Sequence, residues 1–468
     1  MISFSLFATI SVAGLIYVSV RAIYSFYTDP LRKYPGPLLN RITYVVRSYH
    51  LLRGDYVFYL QDLHRKYGLV VRISPTELSY IDVQAWTDIY AQSTTRESGN
   101  LPKGTRNLRF EDNGAVSIFN AKDADHRRIR RIQNHMFSEK AIAGQEPLIK
   151  TYTDLLISIL REKASNPSTS VVNLVDWYNY TTFDIIGELA FGESFECLRY
   201  LYRLTPSKIR NALCEASDFA KEKASARMAR DSVDRVDFMS YILKHNDEKG
   251  MTKPEIENNA RFLILAGSET TSSFLSGITF HLLTNPQHLV KLTNLIRDTF
   301  STPSEITGAA TFQLEYLNAL IEESFRLYPP TTSASPRNTT SGGKIICGEV
   351  MPQNVSVSVP ILAANTSPYL WTDPDDFVPE RWYKGDKCPE KYRNDERKAM
   401  QPFSLGPRNC IGKHMAKQEI RLILAAMLWN FDLELQPESL DWKKSQKVFG
   451  LWERPALNVR LTPRDHKV

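Results

Sequence analysis

The sequence predicts one mainly α-helical body with a minor β part. Three observations support this fold class. From His126 onward, apolar residues recur with the 3.6-residue period of amphipathic helices over most of the chain. Strand-like stretches are few and short. No internal repeat or low-complexity tract divides the 468 residues, so one large core is expected rather than two domains.

The N-terminal segment differs in character from the rest of the chain. Residues 2–20 carry no charge and are rich in aliphatic side chains. They are just long enough for a spanning helix, which needs about 20 apolar residues. Positive charge follows the stretch at Arg21, Arg32 and Lys33, which favours an uncleaved anchor over a cleaved signal peptide. We predict a transmembrane anchor over 1–27, with the body on the cytosolic side.

A proline-rich hinge over 28–40, with a Tyr-Pro-Gly-Pro motif, leads into the main body over 41–468. Val70–Ser74 and Leu78–Ile81, on either side of a proline, predict a β-hairpin at its beginning. Helical periodicity then predicts helices over 124–139, 144–163, 172–190, 255–284, 286–301, 313–327 and 411–429. Further strands are predicted over 344–350, 355–359 and 457–461.

The composition argues against several classes of function. The net charge is +6, without a run of lysine and arginine dense enough to indicate nucleic-acid binding. The five cysteines are odd in number and form no Cys-x-x-Cys pair, so neither a disulfide framework nor a zinc site is expected. A reducing compartment therefore fits the body.

The most informative segment is Phe403–Gly412, with the pattern Phe-x-x-Gly-x-Arg-x-Cys-x-Gly. It places Cys410 directly before a predicted helix, whose N-terminus and nearby cations would favour a metal-ligating thiolate. Gly406 and Gly412 permit backbone conformations or close approaches that a side chain would block. Arg408 could pair with a carboxylate of a cofactor. A buried structural cysteine is the alternative, but so many specified residue types in one short segment favour a ligand.

This segment resembles the haem-binding loop of the cytochrome P450 family of haem-thiolate monooxygenases, and the resemblance covers nearly the whole chain. It implies the cytochrome P450 fold. It also implies haem b (iron protoporphyrin IX) as cofactor, with Cys410 as the axial metal ligand and Phe403, Gly406, Arg408 and Gly412 as the surrounding cofactor-binding residues.

A second motif pairs Glu323 with Arg326 near the end of a predicted helix. By itself, an i, i+3 ion pair on a helix surface contributes little. A Pro-Glu-Arg-Trp sequence containing Arg381 follows downstream. The resemblance implies that these three residues form a buried triad that supports the haem loop, with a structural role.

A third motif, Ala-Gly-Ser-Glu-Thr-Thr over 266–271, interrupts the apolar flanks of a long predicted helix. A mid-helix glycine costs about 1 kcal/mol relative to alanine. A polar stripe, with threonine hydroxyls bonded to i−4 carbonyls, is one interpretation. The other is a kink over the cofactor, where Gly267 leaves room for dioxygen and the catalytic residues Glu269 and Thr270 deliver protons. The resemblance favours the second.

Three further residues are assigned to the cofactor by resemblance alone. In the family, a Trp or His followed four residues later by Arg binds a haem propionate, and His126 and Arg130 match that spacing. Arg337 matches another arginine that binds a propionate. Most of the remaining arginines between 127 and 131 are expected to form a solvated helix face.

The resemblance implies a membrane-anchored monooxygenase that inserts one oxygen atom from O2 into an apolar small molecule. NADPH–cytochrome P450 reductase would supply the electrons, and the protein would lie in the endoplasmic reticulum membrane as a single-pass protein. The segments over 401–413 and 428–433 look like fungal microsomal members, many of which modify terpenoids or polyketides. An acidic reductase would bind a positive face, which we predict from Arg127, Arg128, Arg131, Lys413, Lys417 and Arg421.

The chain departs from the family between residues 195 and 237, where it is short. This predicts a shortened roof (F–G) region over the substrate pocket, with consequences for water exclusion. Two alternatives to a monooxygenase therefore stand. One is a haem-thiolate isomerase or dehydratase that needs no dioxygen, against which the Glu269-Thr270 pair argues. The other is a weakly active haem-binding protein.

Overall fold

Helices dominate the structure, a computed structural model that describes residues 4–92, 100–104, 114–200, 222–230, 237–341 and 343–464. In chain order, the described α-helices are α1 Phe4–Tyr27, α2 Leu38–Ile42, α3 Val45–Arg53, α4 Tyr56–Tyr67, α5 Val83–Tyr90, α6 Asp123–Gln133, α7 Glu139–Ala164, α8 Leu174–Phe191, α9 Cys197–Tyr200, α10 222–228, α11 Phe238–His245, α12 Lys253–Thr284, α13 Pro286–Thr299, α14 Gly308–Phe312, α15 Glu315–Leu327, α16 Ile361–Asn365 and α17 Lys413–Asn430.

The strands are short, as predicted. They are β1 Val70–Ser74, β2 Glu77–Tyr80, β3 Val171–Asn173, β4 Arg337–Asn338, β5 Lys344–Ile346, β6 Glu349–Met351, β7 Ser356–Ser358, β8 Phe431–Leu435, β9 Lys447–Val448, β10 Trp452–Glu453 and β11 Asn458–Pro463. They form sheets with the orders β1-β2-β7-β4 and β3-β11-β8, and two hairpins, β5-β6 and β9-β10. The mainly α fold with a minor β part is confirmed.

The predicted single strand over 344–350 is wrong, because that stretch is the β5-β6 hairpin. Cys347 and Gly348 both have positive φ, 49° and 80°, and such a two-residue turn lets the chain reverse with the twist that a hairpin needs. The predicted helix over 124–139 is also interrupted, since a 3₁₀ turn over Asn134–Phe137 separates α6 from α7.

Helix α12 is the central element, and its N-terminus explains where it begins. The Thr252 hydroxyl accepts from the Glu255 N–H, and the Glu255 carboxylate accepts from the Thr252 N–H, which completes a capping box. Within this helix, Gly267 faces α8: a Cβ there would lie 2.8 Å from Ile186 Cδ1. The glycine therefore permits close packing of two helices, and its predicted role of leaving room for dioxygen stays a prediction.

The first helix is α1, within the predicted anchor over 1–27. Among the described residues, no helix combines the length and apolar composition needed to cross a membrane, and the predicted span is not supported. The segment after α1 packs against the body: Leu31 and Tyr34 are buried. The buried Arg72 on β1 donates to the Asp29 carboxylate, and its N–H donates to Pro35 O at 2.7 Å.

The predicted shortening of the roof concerns residues between 195 and 237. Residues 201–221 and 231–236 lie outside the described residues, so the shortened roof stays a prediction. On either side of this stretch, α8 and α12 pack against each other along much of their lengths.

Candidate active site

The loop that carries Cys410 is closed by its own backbone. The Cys410 N–H donates to Phe403 O at 2.8 Å, and a 3₁₀ turn over Gly406–Arg408 lies between them. Gly406 has a φ of 75°, and a Cβ there would lie 2.0 Å from Tyr90 O, so only glycine fits beneath α5. The loop conformation is thus set by a hydrogen bond and by one close backbone approach.

Cys410 itself precedes α17, which begins at Lys413 rather than at the predicted 411. Its side chain is exposed, yet burial raises the pKa of the thiol. Exposure and a pKa raised by burial are compatible for a side chain in a concave region, where solvent reaches the sulfur although protein surrounds it. The Gly412 N–H and the charges of Arg130 and Lys413 lower the pKa. These are the groups that would stabilise a thiolate.

Arg130 contacts the cysteine loop directly. Its Nη1 donates to Asn409 O at 2.7 Å and its Nη2 to Asn409 Oδ1 at 2.9 Å. These bonds tie α6 to the residue that precedes Cys410. Its Nε donates to Asn134 Oδ1, so the structure gives Arg130 a loop-holding contact that the sequence prediction of a propionate ligand did not include.

A cluster of charged side chains, most of them cationic and partly or fully buried, lies beside this loop. Arg408 donates to Asp123 Oδ1 at 2.7 Å and to Ala121 O at 2.8 Å. Lys103 pairs with Arg337 in an isolated β-bridge, and Arg337 is buried against the Tyr90 ring. Burial and the charges of Arg337 and Arg408 lower the pKa of Lys103 to about 7. The group carries more positive than negative charge.

Lys103 and Asp123 are members of this group that the sequence did not single out. Asp123 stands at the N-terminus of α6, where carboxylates are common for reasons of the helix dipole alone. Lys103 precedes residues outside the described part and matches no motif. His126, which was predicted, is buried, and burial together with Arg408 and Arg130 lowers its pKa to about 4. It is therefore a neutral donor at pH 7.

The predicted triad meets in a fully buried cluster. Glu323 accepts from Arg326 Nη2 at 2.7 Å and from Arg381 Nε at 3.1 Å. Its two carboxylate oxygens also accept from the Val378 N–H and the Trp382 indole N–H, both at 2.9 Å. Asp395, which the sequence did not indicate, accepts from Arg381.

The triad helix reaches both the cysteine loop and α12 through aromatic side chains. Phe325 on α15 packs edge-on against Phe403 with ring centroids 5.1 Å apart, and stacks on Phe274 of α12 at 3.8 Å. Phe274 lies one turn after Thr270. On α17, Lys417 donates to Glu322 beside the triad. The loop and α12 are therefore linked through one helix.

One face of α12 remains accessible although most of the helix is buried. The less buried residues from Phe262 to Thr270 are 262, 265, 266, 267, 269 and 270, and all but Gly267 recur with the spacing of one helix face. Leu265 is exposed by 43%, unusual for an aliphatic side chain in a central helix. The Thr270 hydroxyl donates to Ala266 O at 2.6 Å, the i−4 bond of the alternative interpretation, and its oxygen stays available as an acceptor.

Glu269 on this face is paired with a residue that no motif indicated. Arg454, from the segment between β10 and β11, donates to Glu269 Oε1. It also donates to Ser272 Oγ at 3.1 Å and to Asn179 Oδ1 at 3.2 Å. An arginine far along the chain from 266–271 offers no local signal, so only the fold could reveal this contact.

The predicted positive face is smaller than expected, because acidic residues pair with most of its members. Arg128 contacts Glu255 and Asp125, Arg131 contacts Asp247, and Lys417 contacts Glu322. Arg421 is buried beneath Phe312. Within the described chain, no carboxylate pairs with the remaining two residues. They are Arg127 and Lys413.

Comparison with known proteins agrees with this geometry. The sequence model of the family described as cytochrome P450 matches residues 35–201 and 197–458. The chain is 42% identical to cytochrome P450 monooxygenase aclL of Aspergillus oryzae over 496 aligned positions, covering 99% of this chain and all of that protein. It is 41% identical to cytochrome P450 monooxygenase astA of Talaromyces wortmannii, over 94% of each chain. It is 38% identical to fusicoccadiene 8-ol C-16-hydroxylase of Phomopsis amygdali, over 98% of this chain and 93% of the other.

The chain belongs to the cytochrome P450 family. It is an oxidoreductase of the monooxygenase type found in fungal secondary metabolism. Membership implies a haem-thiolate iron cofactor, dioxygen, a redox partner and a small-molecule substrate.

Proposed function

We propose that Cys410 is the axial thiolate ligand of haem b and that the enzyme inserts one oxygen atom from O2 into an apolar small molecule. The observation that carries this is the setting of Cys410. The side chain is accessible to solvent although protein surrounds it, and the Gly412 N–H and two cations stabilise its ionised form. When bound, the haem supplies the oxidising chemistry, to which a thiolate ligand contributes by pushing electron density that favours O–O cleavage.

The donor set fits this cofactor. Two propionates would balance the surplus positive charge of Lys103, Arg337 and Arg408. Burial, together with the charges of Arg337 and Arg408, lowers the pKa of Lys103 to about 7. His126, neutral and buried, would donate a hydrogen bond rather than a charge. Arg130 remains a candidate propionate ligand. In the structure it donates to Asn409 O and so also holds the loop. Gly406 and Phe403 shape the loop beneath the ring.

Protons would reach the cleft along the accessible face of α12. Glu269 would take up a proton at its carboxylate, and Thr270 Oγ1 would accept it and pass it on. The Thr270 hydroxyl bond to Ala266 O orients the oxygen for this. Thr270→Ala should therefore lower the yield of product per NADPH without preventing haem binding. An unchanged yield would contradict the relay.

The substrate is proposed from the same face. Phe262, Leu265 and Ala266 line it with apolar side chains, which suits an apolar ligand. Among the relatives, fusicoccadiene 8-ol C-16-hydroxylase is named for hydroxylating a carbon of an unsaturated alcohol. A terpenoid or polyketide of fungal secondary metabolism is the substrate class that we propose.

NADPH–cytochrome P450 reductase is the proposed electron donor, and the cytosolic face of the endoplasmic reticulum membrane is the proposed location, with residues 1–27 as the membrane attachment. Exposed apolar side chains at the end of α1, including Ile23 and Tyr27, support membrane contact. Carbonate extraction of cell membranes would test it: release of the full-length protein into the supernatant would contradict attachment through 1–27.

We also propose that the roof over the substrate is shortened. Two observations support this. The family model matches in two stretches that meet at residues 197–201, where the sequence departs from the family. The alignment with the Aspergillus oryzae relative extends over 496 positions, more than the 468 residues of this chain.

The decisive test is a reduced carbon-monoxide difference spectrum of the purified protein. We expect the absorption band of a thiolate-ligated haem in the parent and its loss in Cys410→Ala. Cys388→Ala is the matched control, since that cysteine also follows a 3₁₀ turn but is buried and accepts from Arg397. A band that persists in Cys410→Ala would overturn the proposal, and oxygen consumption would separate a monooxygenase from an isomerase.

A further inference from the structure

The ion pair between Glu269 and Arg454 joins the accessible face of α12 to the C-terminal segment. The Arg454 side chain is only 4% exposed, whereas the Glu269 side chain is 23% exposed. The pair therefore has a buried cationic end and a carboxylate end that reaches the cleft face. Such an arrangement fixes an ionisable group at a boundary between protein and solvent.

The backbone around Arg454 is fixed by contacts of the residues that precede and follow it in sequence. The indole N–H of Trp452 donates to Pro329 O at 2.8 Å, and its ring stacks on Tyr328 with centroids 4.6 Å apart. Three residues after Arg454, the Leu457 N–H donates to Asn173 Oδ1 at 2.9 Å. The backbone around the arginine is thus tied to α8 and to the end of α15, and its side chain starts from a fixed point.

The guanidinium is also held at its far end by neutral acceptors. Asn179 on α8 and Ser272 on α12 both accept from Arg454, and the Ser272 hydroxyl donates to Asn179. Glu269 is the one carboxylate hydrogen-bonded to Arg454 among the described residues, and the bond is to Oε1. No described residue donates to Oε2, so that oxygen is left to exchange protons.

We propose that Arg454 is a positioning residue that acts through Glu269: it fixes Oε1, and thereby sets the place from which Oε2 passes protons to Thr270. This inference rests on the proposed proton role of Glu269. It assigns to the C-terminal segment a part in coupling electron use to product formation, although that segment lies far from the cysteine loop and the 266–271 motif in sequence.

A purely structural role would explain the position of Arg454 less well. Joining α8, α12 and the C-terminal segment requires only donors to Asn179 and Ser272, and a neutral side chain would supply those without burying a charge. The added cost of a buried guanidinium is offset where it meets the Glu269 carboxylate, on the accessible face beside Thr270. The positive charge of Arg454 is therefore explained by its ion pair with the Glu269 carboxylate.

The experiment compares Arg454→Gln, Arg454→Lys, Glu269→Gln and the double variant Arg454→Gln/Glu269→Gln in the haem-loaded enzyme with reductase. The measured quantity is product formed per NADPH oxidised. We expect the yield to fall on the order of tenfold in Arg454→Gln and in Glu269→Gln. The double variant should lose no more than either single variant, and Arg454→Lys should recover part of the yield because it keeps the charge.

A second readout does not depend on turnover. Urea unfolding of the four proteins should show that the losses of stability in Arg454→Gln and Glu269→Gln are not additive, as for a pair in contact. Arg297→Gln is the control, because Arg297 likewise joins elements by donating to Leu428 O and Phe431 O and pairing with Asp432. It should lose stability and keep the yield.

The outcomes separate the inference from the function on which it rests. A normal yield in Glu269→Gln would contradict the proton role of Glu269 and, with it, this inference. A low yield in Glu269→Gln beside a normal yield in Arg454→Gln would overturn the positioning role alone. Additive stability losses would show that the ion pair does not form, and equal yields in the Lys and Gln variants at position 454 would show that the charge is not used.

Discussion

The Cys410 loop is held mainly by the backbone, whereas the accessible face of α12 depends on side chains. In the loop, the Cys410 N–H donates to Phe403 O, and Gly406 fits against Tyr90 O. On α12, the carboxylate of Glu269 is held by a hydrogen bond from the side chain of Arg454. A backbone arrangement tolerates few residue types, whereas a side-chain arrangement can be changed by one substitution. The cofactor side should therefore be rigid, and the substrate side adjustable.

The largest effect is expected from the triad beneath the loop. Glu323→Ala leaves the fully buried Arg326 without its carboxylate and leaves Arg381 with Asp395 alone, which should cost about 3–5 kcal/mol of unfolding free energy. Denaturant unfolding and the yield of haem-loaded protein would measure it. Glu380→Ala, which removes the partly exposed pair with Lys291, should cost less than about 1 kcal/mol. Equal losses in the two variants would show that the buried cluster does not stabilise the loop side.

A smaller effect is expected from glycine substitutions in the loop. Gly406→Ala combines a φ of 75° with a clash against Tyr90 O, and should cost at least about 2 kcal/mol and lower haem retention. Gly412→Ala should be tolerated, since its φ is −86° and a Cβ there would lie 3.6 Å from Phe137. If both variants retain haem equally, the backbone does not set the loop conformation.

Glu419 on α17 gives a prediction about pH. It is fully buried, and burial raises the pKa of its carboxyl to about 8. Because the unfolded chain has a pKa of about 4.3, the folded state binds more protons between these values, and its stability should fall as pH rises through this interval. Glu419→Gln should remove about 3–4 kcal/mol of that fall, measured by urea unfolding at pH 5 and pH 8. The exposed Glu434→Gln should leave the pH dependence unchanged.

The smallest effect concerns the reductase. Since acidic neighbours pair with most residues of the predicted basic face, Arg127 and Lys413 should supply the remaining electrostatic attraction to the reductase. Raising ionic strength should slow haem reduction only a few-fold, as should Arg127→Glu at low salt. A stopped-flow measurement would check this. A rate independent of both salt and Arg127 would rule out an electrostatic docking face there.

The cofactor side was largely predictable from the sequence, because its residues follow local patterns. Cys410, Gly406 and Arg408 lie within ten residues, and Glu323 and Arg326 within one turn of helix. Other contacts join distant segments, and no spacing rule predicts them. Arg454 reaches Glu269 through the fold, and Lys103 joins the cations through a bridge to Arg337.

Two local patterns have a structural cause that the sequence did not show. Gly267 was interpreted as space beside a cofactor, and in the structure it is the contact point with Ile186 of α8. The stretch over 344–350 has the composition of a strand, but the turn at Cys347 and Gly348 divides it. In both cases, the residue pattern is compatible with more than one local structure, and contacts with neighbouring residues determine which one forms.

The buried pair between Asp29 and Arg72 has a practical consequence for shortened forms of this enzyme. The catalytic body was delimited from the sequence as 41–468, yet a chain cut there loses Asp29 and leaves a fully buried guanidinium without its carboxylate. It also loses Leu31 and Tyr34 from the core around β2 and β7. A shortened form made for crystallisation or for expression should therefore begin before Asp29, so that Asp29, Leu31 and Tyr34 keep their contacts with the sheet.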